Sequence, residues 1–217
     1  MLVLWTLFAV PVIGTGILLH RKLQDWEKKD WNILPKCLST WMVVFTGVWG
    51  LFRTEDMHTM GKQWILSALL LFLLADALLE VKFFWGMGAF AAGHIFLIGW
   101  ILSKSRFYLA EIILWLILMG ICLFLFREEV KGARENPKQY AMLLYPAVLM
   151  GMTVLALSLP FRLGKEYGWI ALGAGLFAVS DMMVGKSFFH EQTKGIHYLA
   201  LGLYYSGIYC FALMMWM

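Results

Sequence analysis

Long apolar runs alternate with short charge-rich breaks along this chain. A helix needs about 20 residues to cross a hydrocarbon core of roughly 30 Å. Eight runs meet that need, at about 2–20, 33–52, 62–80, 83–103, 107–126, 140–159, 168–186 and 196–217. The third and fourth are joined tightly at Val81-Lys82. The pattern predicts an all-α fold, a polytopic membrane bundle of about eight transmembrane helices in a single domain over 1–217. The first run starts at once, with no basic n-region or small-residue cleavage site, so 2–19 reads as a retained span rather than a removed signal peptide.

Composition narrows the class further. The hydrophobic share is 61% and the charged share 15%, against roughly 25% charged in a soluble domain. A soluble chain of this size would have no surface for so many Leu, Phe, Trp and Met side chains, and lipid is the solvent that suits them. The net charge of +4 implies no nucleic-acid partner, because the basic residues sit in short loops without a stripe or a stacking platform. Cys37, Cys122 and Cys210 fall in apolar runs with no CxxC or Cys/His spacing. They read as small apolar fillers, with no disulfide framework and no metal site. No pattern signals a haem, flavin or Fe–S cofactor, and a Gly-rich phosphate loop, GxSxG elbow and HExxH motif are all missing, which argues against a serine hydrolase or zinc protease.

An even number of spans puts both termini on one side. The breaks after spans 1, 3, 5 and 7 carry Arg21, Lys22, Lys28, Lys29, Lys82, Arg127, Lys131, Arg134, Lys138, Lys186 and Lys194. Those after spans 2, 4 and 6 carry Arg53, Lys62, Lys104, Arg106, Arg162 and Lys165. The richer side is predicted to be cytoplasmic, with both termini outside. A weak repeat sets Leu71-Phe72-Leu73-Leu74-Ala75-Asp76 over Leu176-Phe177-Ala178-Val179-Ser180-Asp181, and Phe83-Phe84 over Phe188-Phe189. Two halves, 1–105 and 106–217, would then be parallel four-helix repeats about an axis along the membrane normal, as in some transporters.

The charges inside spans carry the candidate chemistry. Asp76 lies about fourteen residues into the third span and Asp181 about thirteen into the seventh, so both sit roughly 20 Å below the outer face and within about 10 Å of the cytoplasmic boundary. A carboxylate in hydrocarbon costs several kcal/mol and usually faces a partner or a water-filled cavity. Each aspartate alone is equally readable as a helix-end residue snorkelling to the interface; two at matched depth favour a shared site. Two carboxyls sharing a low-dielectric site do not both ionise easily, so the pair can hold one proton near neutrality. One group then donates a proton while the other guides water or stabilises a cation.

Four other features lie within spans. Lys36 starts the second span, as a snorkelling lysine or a seat for a lipid phosphate. His94, about mid-membrane in the fourth, reads either as a buried structural histidine or as a site residue. Tyr198, Tyr205 and Tyr209 share a face of the eighth span, with Tyr204 beside it, and Tyr204 and Tyr205 are too deep for an aromatic belt. They bond across helices or line the site. Glu111, near the outer end of the fifth span, is far from the aspartates and is left out.

At these residues the chain resembles the YhhN family, membrane proteins that include lysoplasmalogenases. The resemblance rests on Lys36-Cys37-Leu38-Ser39-Thr40, Ala75-Asp76-Ala77-Leu78-Leu79, Gly86-Met87-Gly88-Ala89-Phe90-Ala91-Ala92-Gly93-His94, Leu176-Phe177-Ala178-Val179-Ser180-Asp181 and Tyr204-Tyr205, in order over about residues 33 to 210. It implies eight spans and hydrolysis of the vinyl ether of lysoplasmalogens, a lysophospholipid substrate, to a fatty aldehyde and a glycerophospho-alcohol. Asp76 and Asp181 would be catalytic, and Lys36, His94, Tyr204 and Tyr205 would bind substrate, with no metal or cofactor. The pattern departs at Cys37 (family Pro), Ala75 (Gly), Leu97 (Tyr) and Gly207 (Gln), and lost polar groups near the site would alter head-group or linkage recognition.

Two further readings compete. Intramembrane acids and parallel repeats also suit a proton- or cation-coupled carrier, although long Gly/Pro-interrupted spans are lacking. An intramembrane aspartyl protease shares the two-Asp logic but not its motifs, since neither aspartate follows Gly-x-Gly and Tyr145-Pro146-Ala147-Val148-Leu149 only loosely matches a Pro-Ala-Leu segment.

Overall fold

The computed structural model describes residues 1–26, 29–53, 60–128 and 141–217. Its helices are α1 (Leu2–Asp25), α2 (Lys29–Arg53), α3 (Met60–Val81), α4 (Phe83–Lys104), α5 (Leu109–Leu125), α6 (Ala141–Leu163), α7 (Gly168–Phe189) and α8 (Lys194–Leu213). Short 3-10 turns occupy Lys165–Tyr167 and Met214–Trp216. Among the described residues there is no strand, and the protein is an all-α helical bundle. Lys28, Lys131, Arg134 and Lys138, which weigh in the orientation count, lie outside the described residues.

Among the described residues seven helices are long and apolar enough to cross a membrane, and α5, with 17 residues, is the short one. At 1.5 Å per residue it reaches about 26 Å, just under the hydrocarbon thickness. The expected run from 107 loses its first residues because Tyr108 is an extended N-cap, whose backbone N–H donates to Glu111 Oε2 at 2.8 Å. Elsewhere the helices outrun the apolar windows. α1 continues to Asp25 and α2 starts at Lys29, so Arg21 and Asn32, outside the apolar runs, are helical. Helix ends project beyond the hydrocarbon, where polar side chains are tolerated, so an apolar run understates the helix that contains it.

Close crossings come from small residues. A single extended residue, Lys82, reverses the chain between α3 and α4. The two helices then pack together, and a Cβ on Gly86 would come within 2.6 Å of the Leu79 backbone nitrogen. α7 and α8 cross the same way at Gly173 and Gly207, where a Cβ on Gly207 would meet the Gly173 carbonyl at 2.9 Å. The glycine at 207, one of the departures from the family pattern, is thus a packing requirement of this backbone.

Six helices, α2, α3, α4, α6, α7 and α8, surround an aromatic core in which Phe72, Phe177 and Phe211 are fully buried. α1 packs on α2 and α8, while α5 lies outside on α6. Among the described residues, the short α5 covers one face of the α6–α7 region.

Candidate active site

A cavity of about 210 Å³ opens in one half of the bundle, the half nearest the Lys82 turn. Its residues come from the C-terminal parts of α3, α5 and α7 and the N-terminal parts of α2, α4, α6 and α8. These are the segments that alternating up-and-down helices bring to one depth. The walls are mostly apolar, and Lys36, Asp76, Tyr145, Ser180, Asp181 and Tyr204 supply the polar groups. Asp76 and Asp181 therefore line one chamber.

Asp76 is almost completely buried and densely partnered. Lys36 Nζ lies 3.6 Å from its Oδ1. Tyr204 donates its hydroxyl to Oδ2 at 2.7 Å, and Thr40 donates a short hydrogen bond to the same oxygen. Lys36 is held from its other side by Glu80 Oε1 at 3.1 Å. The local reason is helical spacing: Asp76 and Glu80 stand one turn apart on α3, and Lys36 and Thr40 one turn apart on α2, so four side chains interdigitate along one seam. The seam continues towards the helix ends, where Asn32 Nδ2 donates to Glu80 Oε2 at 3.4 Å and the His20 ring lies 3.9 Å from Glu80. A lysine buried this deeply is charge-compensated by two carboxylates, the arrangement such a group requires.

Asp181 has different company. Tyr145, from α6, donates a short hydrogen bond to its Oδ2. No ion pair reaches it among the contacts of the described residues. Behind Tyr145 stands His94, whose Nε2 is 3.5 Å from the phenol oxygen. His94 is fully buried, its ring 4.6 Å from that of Phe177 and edge-on to it, and its Nδ1 has no hydrogen-bond partner. Phe90, Phe177 and Tyr204 close the inner side of the chamber, with Phe177 and Tyr204 rings 5.3 Å apart.

Of the six residues singled out in the sequence, four line the cavity: Lys36, Asp76, Asp181 and Tyr204. His94 sits one residue back, and Tyr205 turns away to donate to the Lys36 carbonyl at 2.9 Å. Tyr209 bonds Thr6 at 3.0 Å, outside the site. Thr40, Glu80 and Tyr145 are the site residues that sequence reasoning missed. A signal for the first two was present, since they follow Lys36 and Asp76 by one helical turn. The signal for Tyr145 was the repeat frame itself: its offset of 105 residues, which sets Asp76 over Asp181, also sets Thr40 over Tyr145. Glu111, left aside from the start, makes a buried ion pair with Arg162 at 2.8 Å near the opposite end of α5.

No match was found among curated proteins or among solved structures. The model of the YhhN family matches residues 31–215, which takes in every residue of the chamber. Since that span is most of the 217 residues, the chain belongs to the YhhN family.

Proposed function

We propose that this protein is a multi-pass membrane lipid hydrolase of the lysoplasmalogenase type. It cleaves the vinyl ether of a 1-alkenyl lysophospholipid to a fatty aldehyde and glycerophosphoethanolamine or glycerophosphocholine. The observation that carries the reading is the unequal pair of carboxyls on one apolar chamber. Asp76 faces a lysine and two hydroxyl donors, the surroundings of a carboxylate. Among the described residues Asp181 faces a single phenol and no cation, the surroundings of a carboxylic acid.

Vinyl ethers hydrolyse by protonation at the β-carbon. Asp181 gives its proton to that carbon, and the ether oxygen shares a lone pair to form an oxocarbenium ion. The carboxylate of Asp76 stabilises that cation across a chamber of low dielectric, where charge interactions are strong. Water adds to the cationic carbon, and Asp181, now ionised, takes the released proton and is restored. The hemiacetal then breaks down, its hydroxyl proton passing to the departing glycerol oxygen. The cycle consumes one water and no net proton.

In this reading Lys36 is not a phosphate seat. It is already shared by Asp76 and Glu80, and a phosphate would have to displace one of them. Lys36 instead keeps Asp76 charged, and His94 and Tyr205 act through Tyr145 and Lys36 rather than on the lipid. The reading also takes the two halves as parallel repeats and places the chamber towards the cytoplasm, with both termini outside. The test is release of aldehyde from alkenyl, alkyl and acyl lysolipids by purified protein in vesicles. Only the alkenyl lipid is expected to turn over, and Asp76→Asn and Asp181→Asn are each expected to lower the rate by about 10²–10⁴ while the protein stays folded. Cleavage of acyl chains alone would make the reaction class wrong. Asp-dependent proton or cation flux without lipid turnover would put a carrier in its place.

A further inference from the structure

The wall of the chamber opposite the charged seam is formed by α5, through Met119, Cys122, Leu123 and Phe126. These positions repeat at i, i+3, i+4 and i+7, one stripe of a helix. On the first half of α5 the ties to α6 are polar: Arg162 and Ser158 reach Glu111 at 2.8 and 2.7 Å, and Trp115 donates to the Ala147 carbonyl at 2.9 Å. On the second half the stripe faces the chamber, and the contact across to α7 is the Phe126 ring against Gly185, 3.4 Å from where a Cβ would stand. Two residues that line the chamber are also open to the outside. Leu123 on α5 is 43% exposed and Val184 on α7 is 38% exposed. The wall is thin there, and exposed apolar residues of α5, Leu116, Ile117 and Phe124 among them, continue beside it.

We propose that the seam between the C-terminal half of α5 and α7, rimmed by Leu123, Phe126, Val184 and Gly185, is a lateral portal through which the hydrocarbon chain of the substrate passes from the bilayer. The proposal rests on the hydrolase reading for the identity of the lipid, and it commits to a single linear chain, because the seam is narrow, bounded by Leu123 and Phe126 on one side and by Val184 and Gly185 on the other. Physical chemistry favours this route over an aqueous one. Drawing a chain through water costs about fourfold in partition for every methylene, whereas a chain moving from lipid to an apolar wall changes solvent very little. The polar ties at residues 108–115 hold one end of α5 on α6, so displacement at the seam need not detach the helix. The head group stays at the membrane surface, and only the linkage beneath it has to reach Asp76 and Asp181.

The test is a reversible lock. Phe126→Cys and Gly185→Cys are introduced with Cys37, Cys122 and Cys210 each changed to Ala, and the pair is bridged in vesicles by a short bis-methanethiosulfonate. Two readouts are taken before and after reduction with dithiothreitol: binding of a non-cleavable, long-chain 1-alkyl lysolipid, and turnover of a short-chain, water-soluble alkenyl ether. Bridging is expected to weaken binding of the long-chain lipid by about tenfold or more, restored on reduction, with short-chain turnover within about twofold. Unchanged binding in the bridged protein overturns the portal, as does an equal loss of short-chain turnover. Binding that responds to the lock while no alkenyl lipid is ever cleaved leaves the portal standing and sinks the hydrolase reading. Leu123→Trp supplies a check independent of the lock. It is expected to weaken long-chain binding several-fold, while Leu114→Trp, on the outward face away from the chamber, leaves it unchanged.

Discussion

The two aspartates stand in similar helical surroundings with different electrostatics. In both, a hydroxyl from the second helix of the half is donated to the aspartate on the third: Thr40 to Asp76, and Tyr145 to Asp181. The packing exchanges in the same way, for α4 meets α6 as α8 meets α2. The charges do not follow. The offset that pairs the aspartates sets Lys36 over Ala141 and Glu80 over Gly185, so among the described residues one carboxyl has a cation with a second carboxylate behind it and the other has neither. A chamber lined by two equally surrounded carboxyls would have no fixed acid. The position freed by Glu80 is used again, since Gly185 forms part of the rim against Phe126.

The largest effect should come from abolishing that asymmetry in the first half. Lys36→Met leaves the buried Asp76 beside the half-buried Glu80 without their cation, and breaking a buried pair by removing one partner costs about 3–5 kcal/mol. Thermal unfolding in detergent should show a clear loss of stability, and aldehyde release should fall to background. Lys36→Met combined with Asp76→Asn and Glu80→Gln should recover most of the stability and none of the activity. Full activity in Lys36→Met would mean that Asp76 needs no counter-charge, and the division of roles would fall.

Next in size is the contrast between the two hydroxyl donors. Asp181 has one hydrogen-bond donor and Asp76 has Tyr204 and Lys36 besides Thr40. A hydrogen bond to a charged group is worth about 1.5–3 kcal/mol. Tyr145→Phe should therefore lower kcat by about 10- to 100-fold with KM little changed, because the anion left after proton delivery loses its donor. Thr40→Val should cost less than about tenfold. Equal losses from the two variants would show that the halves contribute alike.

How much of this was legible in the chain depends on where the physics acts. The eight helices, seven of them long enough to cross a membrane among the described residues, follow from apolar runs, because lipid forces backbone hydrogen bonds to close within each segment. Asp76 and Asp181 stand out for the same reason, since a carboxyl in hydrocarbon has no innocent surroundings. Thr40 and Tyr145 did not stand out, because a hydroxyl inside a helix is unremarkable until the neighbour it points at is known. Glu80, two residues before the Lys82 turn, did not stand out either, because an acid at a helix end is tolerated without a partner. The extent of α5 was misread by its first residues because Glu111 caps the helix at Tyr108, a local hydrogen bond that hydropathy does not register.

His94 should matter less than Tyr145, since it reaches Asp181 only through that phenol and at 3.5 Å. His94→Phe keeps an aromatic ring against Phe72 and Phe177 and removes the nitrogen facing Tyr145. A loss of about threefold in kcat, with no further loss when combined with Tyr145→Phe, is the expected pattern for two groups acting in series. An additive loss in the double variant would give His94 a role of its own.

The smallest effect expected is at Tyr205, and its neighbour makes the comparison sharp. Tyr204 and Tyr205 are adjacent, both buried, with ring centroids 4.9 Å apart. Consecutive helical residues point about 100° apart, which follows from 3.6 residues per turn. Tyr204 therefore faces the chamber and donates to Asp76, while Tyr205 faces α2 and donates to the backbone carbonyl of Lys36. Removing a neutral hydroxyl that bonds a carbonyl costs about 1 kcal/mol. Tyr205→Phe should lower thermal stability by about that amount and leave kcat and KM within about twofold, whereas Tyr204→Phe strips a donor from Asp76 and should lower kcat by about tenfold. If Tyr205→Phe proved the more damaging of the two for turnover, the Lys36 backbone rather than the Asp76 carboxylate would be the part of the first half that catalysis depends on.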